Sequence, residues 1–219
     1  MDVGGYRLDV AQSPHQLLQP GVTGSVVWDG GVMLCRCLEH WVDGNLLRLR
    51  GARVIDLGSG TGLVGIAAAA LGANAVLTNQ ACMLRLLREN AARNTEEPLP
   101  GVVTVAELDW DDPQHSAAHR EPTPLVVMAA DCVFNEAIVP ALLQTMAALA
   151  GPETLLLISL ELRSDETHQV FLSLALAGFR VWRLLDSCLP PAMVCARAKV
   201  YVLTARIDEG VAAAGRRAS

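Results

Sequence analysis

The segment Val54–Gly62 constrains the fold of this chain more than any other. It begins as an apolar run of the kind that forms a buried strand, passes through Asp56 and ends in three alternate glycines. Because glycine lacks a Cβ atom, Gly58, Gly60 and Gly62 can adopt a positive φ and let a ligand lie against the backbone. A strand, a glycine loop and a helix in succession are typical of an enzyme that binds a nucleoside cofactor.

Two registers of this loop compete, and they predict different cofactors. The segment Gly60–Gly65 also fits the G-x-G-x-x-G fingerprint of a dinucleotide site, so NAD is one candidate. The carboxylate of Asp56 would repel a pyrophosphate but attract the ammonium and sulfonium groups of S-adenosylmethionine (SAM). Charge complementarity therefore favours SAM, with NAD and a ligand-free glycine turn as the alternatives.

Length and composition predict one soluble domain. At 219 residues and 52% hydrophobic content, the chain can fill one core but is short for two domains. We expect a single domain over residues 1–207 and a frayed tail over 208–219. No apolar run is long enough to span a membrane, and Met1–Gly5 lacks the form of a signal peptide. We expect a monomer in the cytoplasm, with access to the nucleus.

Neither a nucleic acid nor a metal is an expected ligand. The net charge is −6, and although the chain has sixteen arginines beside its one lysine, Lys199, no stretch concentrates basic residues with aromatics, so nucleic-acid binding is disfavoured. The six cysteines form no C-x-x-C pair, and buried free thiols are the expectation. His115 and His119 lie among aspartates and prolines, a composition typical of a solvated loop, so we predict no metal site there.

From residue 53 onward, apolar runs typical of strands alternate with runs of helical periodicity. This pattern predicts an α/β fold of the Rossmann-like type, a mostly parallel sheet with helices on both faces. The last two strands lack an intervening helix, so they should pair antiparallel at an edge. The predicted strands are 53–57, 74–78, 102–106, 124–130, 153–160, 179–185 and 198–205. The predicted helices are 31–42, 62–71, 81–94, 136–149 and 166–177.

Four further segments accompany the glycine loop in a fixed order: Val27–Asp29, Leu77–Asn79, Leu108–Trp110 and Ala129–Phe134. With the loop, this set resembles the seven-β-strand protein methyltransferases of the lysine-methylating group called methyltransferase family 16. The resemblance covers residues 24–205. It implies a class I methyltransferase fold with a seven-stranded sheet, SAM as cofactor, and a lysine of a protein substrate as methyl acceptor. A translation elongation factor is the substrate that the Ala130–Glu136 segment suggests.

The resemblance also implies roles for individual residues around the cofactor. Family members usually carry aspartate at position 79 to grip both ribose hydroxyls, and this chain has Asn79. The amide offers a weaker acceptor, and the change should cost about 1 kcal/mol, roughly fivefold in affinity. Trp110 is expected beside the adenine and Trp28 over the cofactor. The other residues implied to bind the cofactor are Asp56, Gly58, Ser59, Gly60 and Ala130.

Asp131 and Phe134 are the predicted catalytic residues. They match the family's Asp-x-x-Tyr signature, except that phenylalanine replaces the tyrosine. The resemblance implies that Asp131 orients the incoming amine and that residue 134 forms an aromatic wall of the lysine channel. An alternative role for Asp131 is to cap a helix that begins near Glu136. Glu161 and Arg163 follow a predicted strand at the same edge, where a substrate contact and an ordinary salt bridge are equally consistent.

Three other functions remain open at this point. A nicotinamide-dependent oxidoreductase would use the Gly60–Gly65 register. A binding module without catalysis would account for Asn79 and Phe134 as departures from the family pattern. A small-molecule methyltransferase would share the glycine loop, because that loop carries no information about the methyl acceptor.

Overall fold

A computed structural model describes residues 1–18, 23–193 and 197–206 of the chain. The predicted tail at 208–219 lies outside these residues. The strands are β1 (Asp2–Val3), β2 (Tyr6–Arg7), β3 (Arg53–Leu57), β4 (Asn74–Asn79), β5 (Val102–Glu107), β6 (Val126–Ala130), β7 (Leu155–Glu161), β8 (Phe179–Arg183) and β9 (Ala198–Ala205). The α-helices are α1 (Asp29–Asp43), α2 (Leu63–Ala70), α3 (Leu84–Asn94), α4 (Pro113–Ala118), α5 (Val139–Leu149) and α6 (Asp165–Gly178).

Strands β3 to β9 form a seven-stranded sheet in the order β5-β4-β3-β6-β7-β9-β8. Neighbouring strands from β5 to β7 run parallel, and β9 lies antiparallel between β7 and β8. The predicted fold class is therefore confirmed, including the antiparallel last strand. The strand order reverses between β3 and β6, so their carboxyl ends open the crevice in which α/β sheets bind ligands.

Helices cover both faces of the sheet and create two apolar cores. Adjacent residues of β3 point to opposite faces, so Val54 joins one core and Ile55 the other. Helices α1, α2 and α3 pack over the first core, and α5 and α6 over the second. All eight residues of α2 are buried. Because five of its eight residues are glycine or alanine, this helix packs closely on the sheet directly after the glycine loop.

Two short features differ from the sequence prediction. The segment around His115 is helix α4 rather than a solvated loop, because Asp112 caps it by accepting a hydrogen bond from the Gln114 amide, with Pro113 at the first turn. The N-terminal hairpin of β1 and β2 was not predicted. Its strands have two residues each, which is too short for a periodic pattern.

None of the helices in the described part of the chain is both long and apolar enough to cross a membrane. Five of the six cysteines lie within the described residues, and each of these five is a free thiol. Cys195 lies outside them. Among the same residues, no three histidine, cysteine, aspartate or glutamate side chains gather in a group that could hold a metal ion.

We expect Gly65→Ala to destabilise the fold, because α2 lies too close to β4 for a larger residue. A Cβ atom on Gly65 would lie 2.5 Å from Cγ of the fully buried Leu77. Overpacking of this kind typically costs about 1–3 kcal/mol. Urea unfolding monitored by circular dichroism would measure the change in the free energy of unfolding.

Gly178→Ala is the matched control, since Gly178 is the last residue of α6 and no atom lies within 4 Å of the position of its Cβ. Alanine is a better helix former than glycine, so this variant should be as stable as the parent or slightly more stable. Equal stability of the parent and Gly65→Ala would contradict the close packing of α2 against β4.

Candidate functional site

The glycine loop adopts a backbone conformation that other residues rarely adopt. Gly58, Gly60 and Gly62 have φ values of 60°, 56° and 88° between the end of β3 and the start of α2. A Cβ atom on Gly60 would lie 2.8 Å from the carbonyl oxygen of Gly24. Two backbone segments therefore meet at this point without side chains between them.

Ser59 connects the loop to the neighbouring strand. Its hydroxyl donates a hydrogen bond to the Asp56 carbonyl at 2.8 Å and accepts one from the Thr78 amide at 2.9 Å. The Thr78 hydroxyl also donates to the Asp56 carbonyl at 2.8 Å. The glycine loop is thus held against the end of β4, where Asn79 lies.

A cavity of about 480 Å³ opens at the carboxyl ends of β3, β4 and β6. This volume lies within the usual range for small-molecule sites, about 300–1,000 Å³. Every residue that the sequence analysis assigned to a cofactor or catalytic role lines it. They are Trp28, Asp56, Gly58, Ser59, Gly60, Asn79, Trp110, Ala130, Asp131 and Phe134.

The Asp56 carboxyl group is almost completely shielded from solvent at the floor of the cavity. The residue is 1% exposed, and its Oδ2 accepts a hydrogen bond from the Gly65 amide at 3.0 Å. Burial raises the pKa of Asp56 to about 7, although the hydrogen bond from the Gly65 amide favours the ionised form. The group can therefore take up or release a proton near neutral pH.

Asn79 and Trp110 line the cavity near the glycine loop. Asn79 ends β4, and its Oδ1 accepts a hydrogen bond from the Gln80 amide at 2.9 Å. Cζ2 of Trp110 lies 3.0 Å from the position that a Cβ atom on Gly58 would occupy. The indole ring therefore rests against the loop, a placement that a side chain at position 58 would prevent.

Trp28 closes another part of the cavity wall, immediately before α1. Its indole nitrogen donates a hydrogen bond to the Thr23 carbonyl at 2.9 Å. The guanidinium carbon of Arg163 lies 4.4 Å from the centroid of the ring, the geometry of a cation–π contact. Such a contact restricts the orientation of both side chains.

Asp131 makes contacts that the sequence analysis did not anticipate. Its Oδ2 accepts a hydrogen bond from the Gly30 amide at 2.6 Å, in the first turn of α1, and its Oδ1 accepts one from the Glu161 amide at 2.9 Å. Trp28, the N-cap residue of α1, makes no capping hydrogen bond through its side chain. Asp131 supplies the cap from a position 101 residues away from Gly30.

The predicted alternative, that Asp131 caps the helix near Glu136, is wrong. The Asn135 side chain caps that segment by accepting a hydrogen bond from the Ala137 amide at 2.9 Å. Asp131 has a positive φ of 54°, an uncommon conformation for a residue other than glycine. This conformation turns its carboxylate back toward α1 rather than forward along the chain.

Phe134 and Arg163 lie at the outer border of the cavity. Phe134 is 37% exposed, and both residues also line a small neighbouring pocket on the surface. The Nε atom of Arg163 lies 3.1 Å from Glu161, and its Nη2 atom lies 4.0 Å from Asp131. The salt bridge considered for Glu161 and Arg163 is therefore present, and Arg163 lines the cavity as well.

Thr23 and Gly24 are wall residues that the sequence analysis missed. Gly24 lies against Gly60, and Thr23 holds the Trp28 ring through its carbonyl oxygen. Neither residue type carries a chemical signature, and only their place just before the Val27–Asp29 segment could have indicated them. Their contribution depends on backbone position, which local sequence does not encode.

The residues around the cavity suit SAM. The buried Asp56 carboxyl group can pair with an ammonium group, the Asn79 amide oxygen can accept a hydrogen bond from a hydroxyl, and the Trp28 and Trp110 rings offer apolar surfaces to a purine. The side-chain-free loop at Gly58 and Gly60 permits close approach of a ligand to the backbone. The arrangement therefore provides complementary groups for the amino acid, ribose and base parts of SAM.

Comparison with known proteins agrees with this geometry. Residues 14–177 match the model of a family described as lysine methyltransferase. METTL21A, a protein N-lysine methyltransferase of Danio rerio, is 37% identical over 167 residues, which cover 76% of this chain and 72% of the relative. EEF1A lysine methyltransferase 3 of Mus musculus is 31% identical, with 76% of this chain and 67% of the relative covered.

Solved structures share the fold at low sequence identity. Magnesium protoporphyrin IX methyltransferase of Synechocystis PCC 6803, solved with bound SAM, superposes with a TM-score of 0.55 at 16% identity, covering 81% of this chain and 80% of that chain. The mitomycin 7-O-methyltransferase MmcR gives a TM-score of 0.54 at 15% identity, covering 80% and 54% of the two chains. At this level of identity, the two comparisons show a shared fold.

The family match decides between the two registers of the glycine loop in favour of SAM. The predicted resemblance, cofactor and class of enzyme are all confirmed. The chain belongs to the lysine methyltransferase family and is a SAM-dependent protein-lysine N-methyltransferase.

Proposed function

We propose that this enzyme methylates a lysine of a translation elongation factor, with elongation factor 1A as the first candidate. The proposal is supported by the likeness to EEF1A lysine methyltransferase 3 of Mus musculus. The observation that supports a protein as the substrate is the partial exposure of Phe134 at the border of the cavity, where a side chain of another protein could enter. METTL21A is the competing relative, so its substrates are the second candidates.

We propose that the cofactor lies along the glycine loop with its amino group toward Asp56. In this arrangement Gly58, Ser59 and Gly60 border its amino acid and ribose parts, and Asn79 accepts a hydrogen bond from a ribose hydroxyl. Trp110 lies beside the adenine, Trp28 lies over the cofactor, and Ala130 borders its remaining surface. All these residues line the same cavity.

When bound, SAM supplies a methyl group on a sulfonium, and transfer to the lysine nitrogen forms a C–N bond as the S–C bond breaks. The chain has to receive the lysine as a neutral amine, although its pKa in water is about 10.4. The apolar walls at Phe134 and Trp28 exclude water, and burial disfavours the ammonium form. The proton leaves to water before transfer, and the protein contributes mainly position and desolvation.

Asp131 and Phe134 keep their predicted roles in this proposal, with one refinement. Asp131 already accepts hydrogen bonds from the Gly30 and Glu161 amides. Its remaining lone pairs can still orient an amine, and the same carboxylate also holds the start of α1. Phe134 supplies an aromatic wall without a hydroxyl, so its contribution is shape and dryness rather than a hydrogen bond.

We further propose a single domain over residues 1–207 that acts as a monomer in the cytoplasm, with access to the nucleus, on protein rather than nucleic acid. The continuous seven-stranded sheet supports the single domain. The net charge of −6 supports a basic, lysine-presenting protein as the partner.

The test of this function is methyl transfer from labelled SAM to recombinant elongation factor 1A, with mass spectrometry to locate the methylated lysine. We expect Phe134→Ala to lower the transfer rate at least about tenfold, because water enters the channel. Phe134→Tyr should retain most of the parent rate, because it preserves the ring.

Affinity for S-adenosylhomocysteine should be similar in both Phe134 variants and the parent, which separates loss of the channel from loss of the cofactor site. Methylation of a different protein in a cell extract would replace elongation factor 1A as the substrate. Cofactor binding without transfer to any protein would overturn the proposed activity in favour of a binding module.

We expect Asn79→Asp to strengthen binding of S-adenosylhomocysteine about fivefold, because a carboxylate accepts both ribose hydroxyls where an amide oxygen accepts one. Isothermal titration calorimetry would measure the change. Asn74→Asp, at the opposite and exposed end of β4, is the control for the added charge and should leave affinity unchanged. Unchanged or weaker binding by Asn79→Asp would remove Asn79 from the ribose site.

Affinity for S-adenosylhomocysteine should rise as the pH increases from 6 to 8. The free Asp56 carboxyl group has a pKa of about 7, and a bound ammonium group would lower that pKa, so binding releases a proton. Below the pKa of the Asp56 carboxyl group in the free protein, affinity for S-adenosylhomocysteine should increase by up to about tenfold per pH unit. Titrations at several pH values would measure this slope.

Asp56→Asn is the control for the pH dependence, because the amide keeps an acceptor for Gly65 but does not ionise. Its affinity should be lower and nearly independent of pH. Burial raises the pKa of the neighbouring Cys35 and Cys132 thiols, so they remain protonated over this range. An equal slope in parent and Asp56→Asn would place the ammonium group away from Asp56.

A further inference from the structure

Two asparagines on α3 are buried outside the residues assigned to the cofactor or substrate. Asn90 is fully buried and Asn94 is 9% exposed, and they lie four residues apart on one face of the helix. A buried amide is costly unless its donor and acceptor atoms are paired. Their pairing therefore indicates what these residues do.

Both side chains pair with the backbone of the N-terminal segment. Asn94 accepts a hydrogen bond from the Asp9 amide at 2.8 Å and donates one to the Asp9 carbonyl at 2.7 Å. Asn90 accepts one from the Ala11 amide at 2.8 Å and donates to the Ala11 carbonyl at 3.0 Å. The side-chain amides of Asn94 and Asn90 thus each pair with both backbone groups of one residue, at alternate positions of the segment, as the backbone of an adjacent strand would.

Asn90 also contacts the cofactor loop. Its Nδ2 donates a second hydrogen bond, 2.9 Å long, to the carbonyl oxygen of Thr61, between Gly60 and Gly62. One side chain therefore links the N-terminal segment to the glycine loop. An aspartate at this position would lack the donor, and an aliphatic residue would lack both functions.

Residues 9–13 are joined in turn to the wall of the cavity. The Ser13 amide donates to the Ser25 carbonyl at 2.7 Å, and the Gln12 side chain accepts from the Val27 amide at 2.8 Å. Gly24, next to Ser25, lies against Gly60. We call residues 9–13 and 23–28 the N-terminal clamp, because the second part forms one wall of the cavity and the first part anchors it to α3.

We propose that Asn90 and Asn94 are positioning residues for the cofactor, acting through the N-terminal clamp. They hold residues 9–13 on α3. The hydrogen bonds of Gln12 and Ser13 to Val27 and Ser25 then fix the position of the neighbouring cavity residues Thr23, Gly24 and Trp28. The distance between the clamp and the glycine loop sets the width of the cofactor cavity. This proposal goes beyond the proposed function, since it concerns cofactor affinity and is independent of the methyl acceptor.

The test compares Asn94→Ala and Gln12→Ala with the parent in calorimetric titrations with S-adenosylhomocysteine. Neither side chain lines the cavity, and Gln12 is exposed, so its removal should leave the fold intact. We expect each variant to weaken binding about fivefold or more, the effect of one or two lost hydrogen bonds. Arg88→Ala, on the exposed face of α3, is the matched control and should bind like the parent.

Kinetics on any methyl acceptor of the parent enzyme provide a second readout. The KM for SAM should rise in parallel with the dissociation constant, and kcat at saturating SAM should stay within about twofold of the parent. If Asn94→Ala fails to fold, the result for Gln12→Ala decides. Affinity within twofold of the parent in the folded variants, or a loss of kcat with unchanged KM for SAM, would overturn the proposal.

Discussion

The carboxylate of Asp131 connects three elements that have to meet for this site to exist. It accepts hydrogen bonds from the Gly30 amide at the start of α1 and from the Glu161 amide at the end of β7, while Asp131 itself follows β6. A Cβ atom on Gly30 would lie 2.6 Å from the Asp131 Cγ, so this approach requires glycine in α1. The Ser159 hydroxyl adds a hydrogen bond to the Gly30 carbonyl at 2.8 Å. The start of α1, and with it Trp28, is therefore fixed by the carboxyl edge of the sheet.

The same cavity depends on two close contacts that only glycine allows. Gly60 meets Gly24, and Gly65 of α2 meets the Leu77 side chain of β4. Close packing of α2 brings its Gly65 amide to the buried Asp56 carboxyl group. The apolar surroundings that make this packing stable also raise the Asp56 pKa to about 7. Tight packing and the raised pKa of Asp56 thus have the same origin, the burial of its carboxyl group. A cationic ligand is the natural partner for this carboxyl group.

Much of this arrangement was predictable from the sequence, because strands and their ends follow local pattern. All seven strands of the sheet were predicted within two residues, and their carboxyl ends carry Asp56, Asn79 and Asp131. The sequence does not predict helix α4, because Asp112 and Pro113, which begin it, are residue types that are equally typical of loops. The partners of Asp131 could not be predicted, since they lie 101 and 30 residues away. The spacing of Asn90 and Asn94 on an apolar helix face was a visible signal, but its meaning depends on where the N-terminal segment lies.

On the proposed function, the groups at the entrance of the cavity favour a neutral amine over an ammonium. The negative charge of Asp131 is stabilised by two amides and by the Arg163 guanidinium at 4.0 Å, so it attracts an ammonium less than an unpaired carboxylate would. Arg163 adds a fixed positive charge beside Trp28, and Phe134 adds apolar surface at the entrance. At the entrance a lysine ammonium would lie beside the Arg163 guanidinium and the apolar Phe134 ring, whereas a neutral amine loses less hydration on entering. The absence of a tyrosine hydroxyl at position 134 is compatible with this arrangement, because the site can still desolvate and position the amine without that one hydrogen bond.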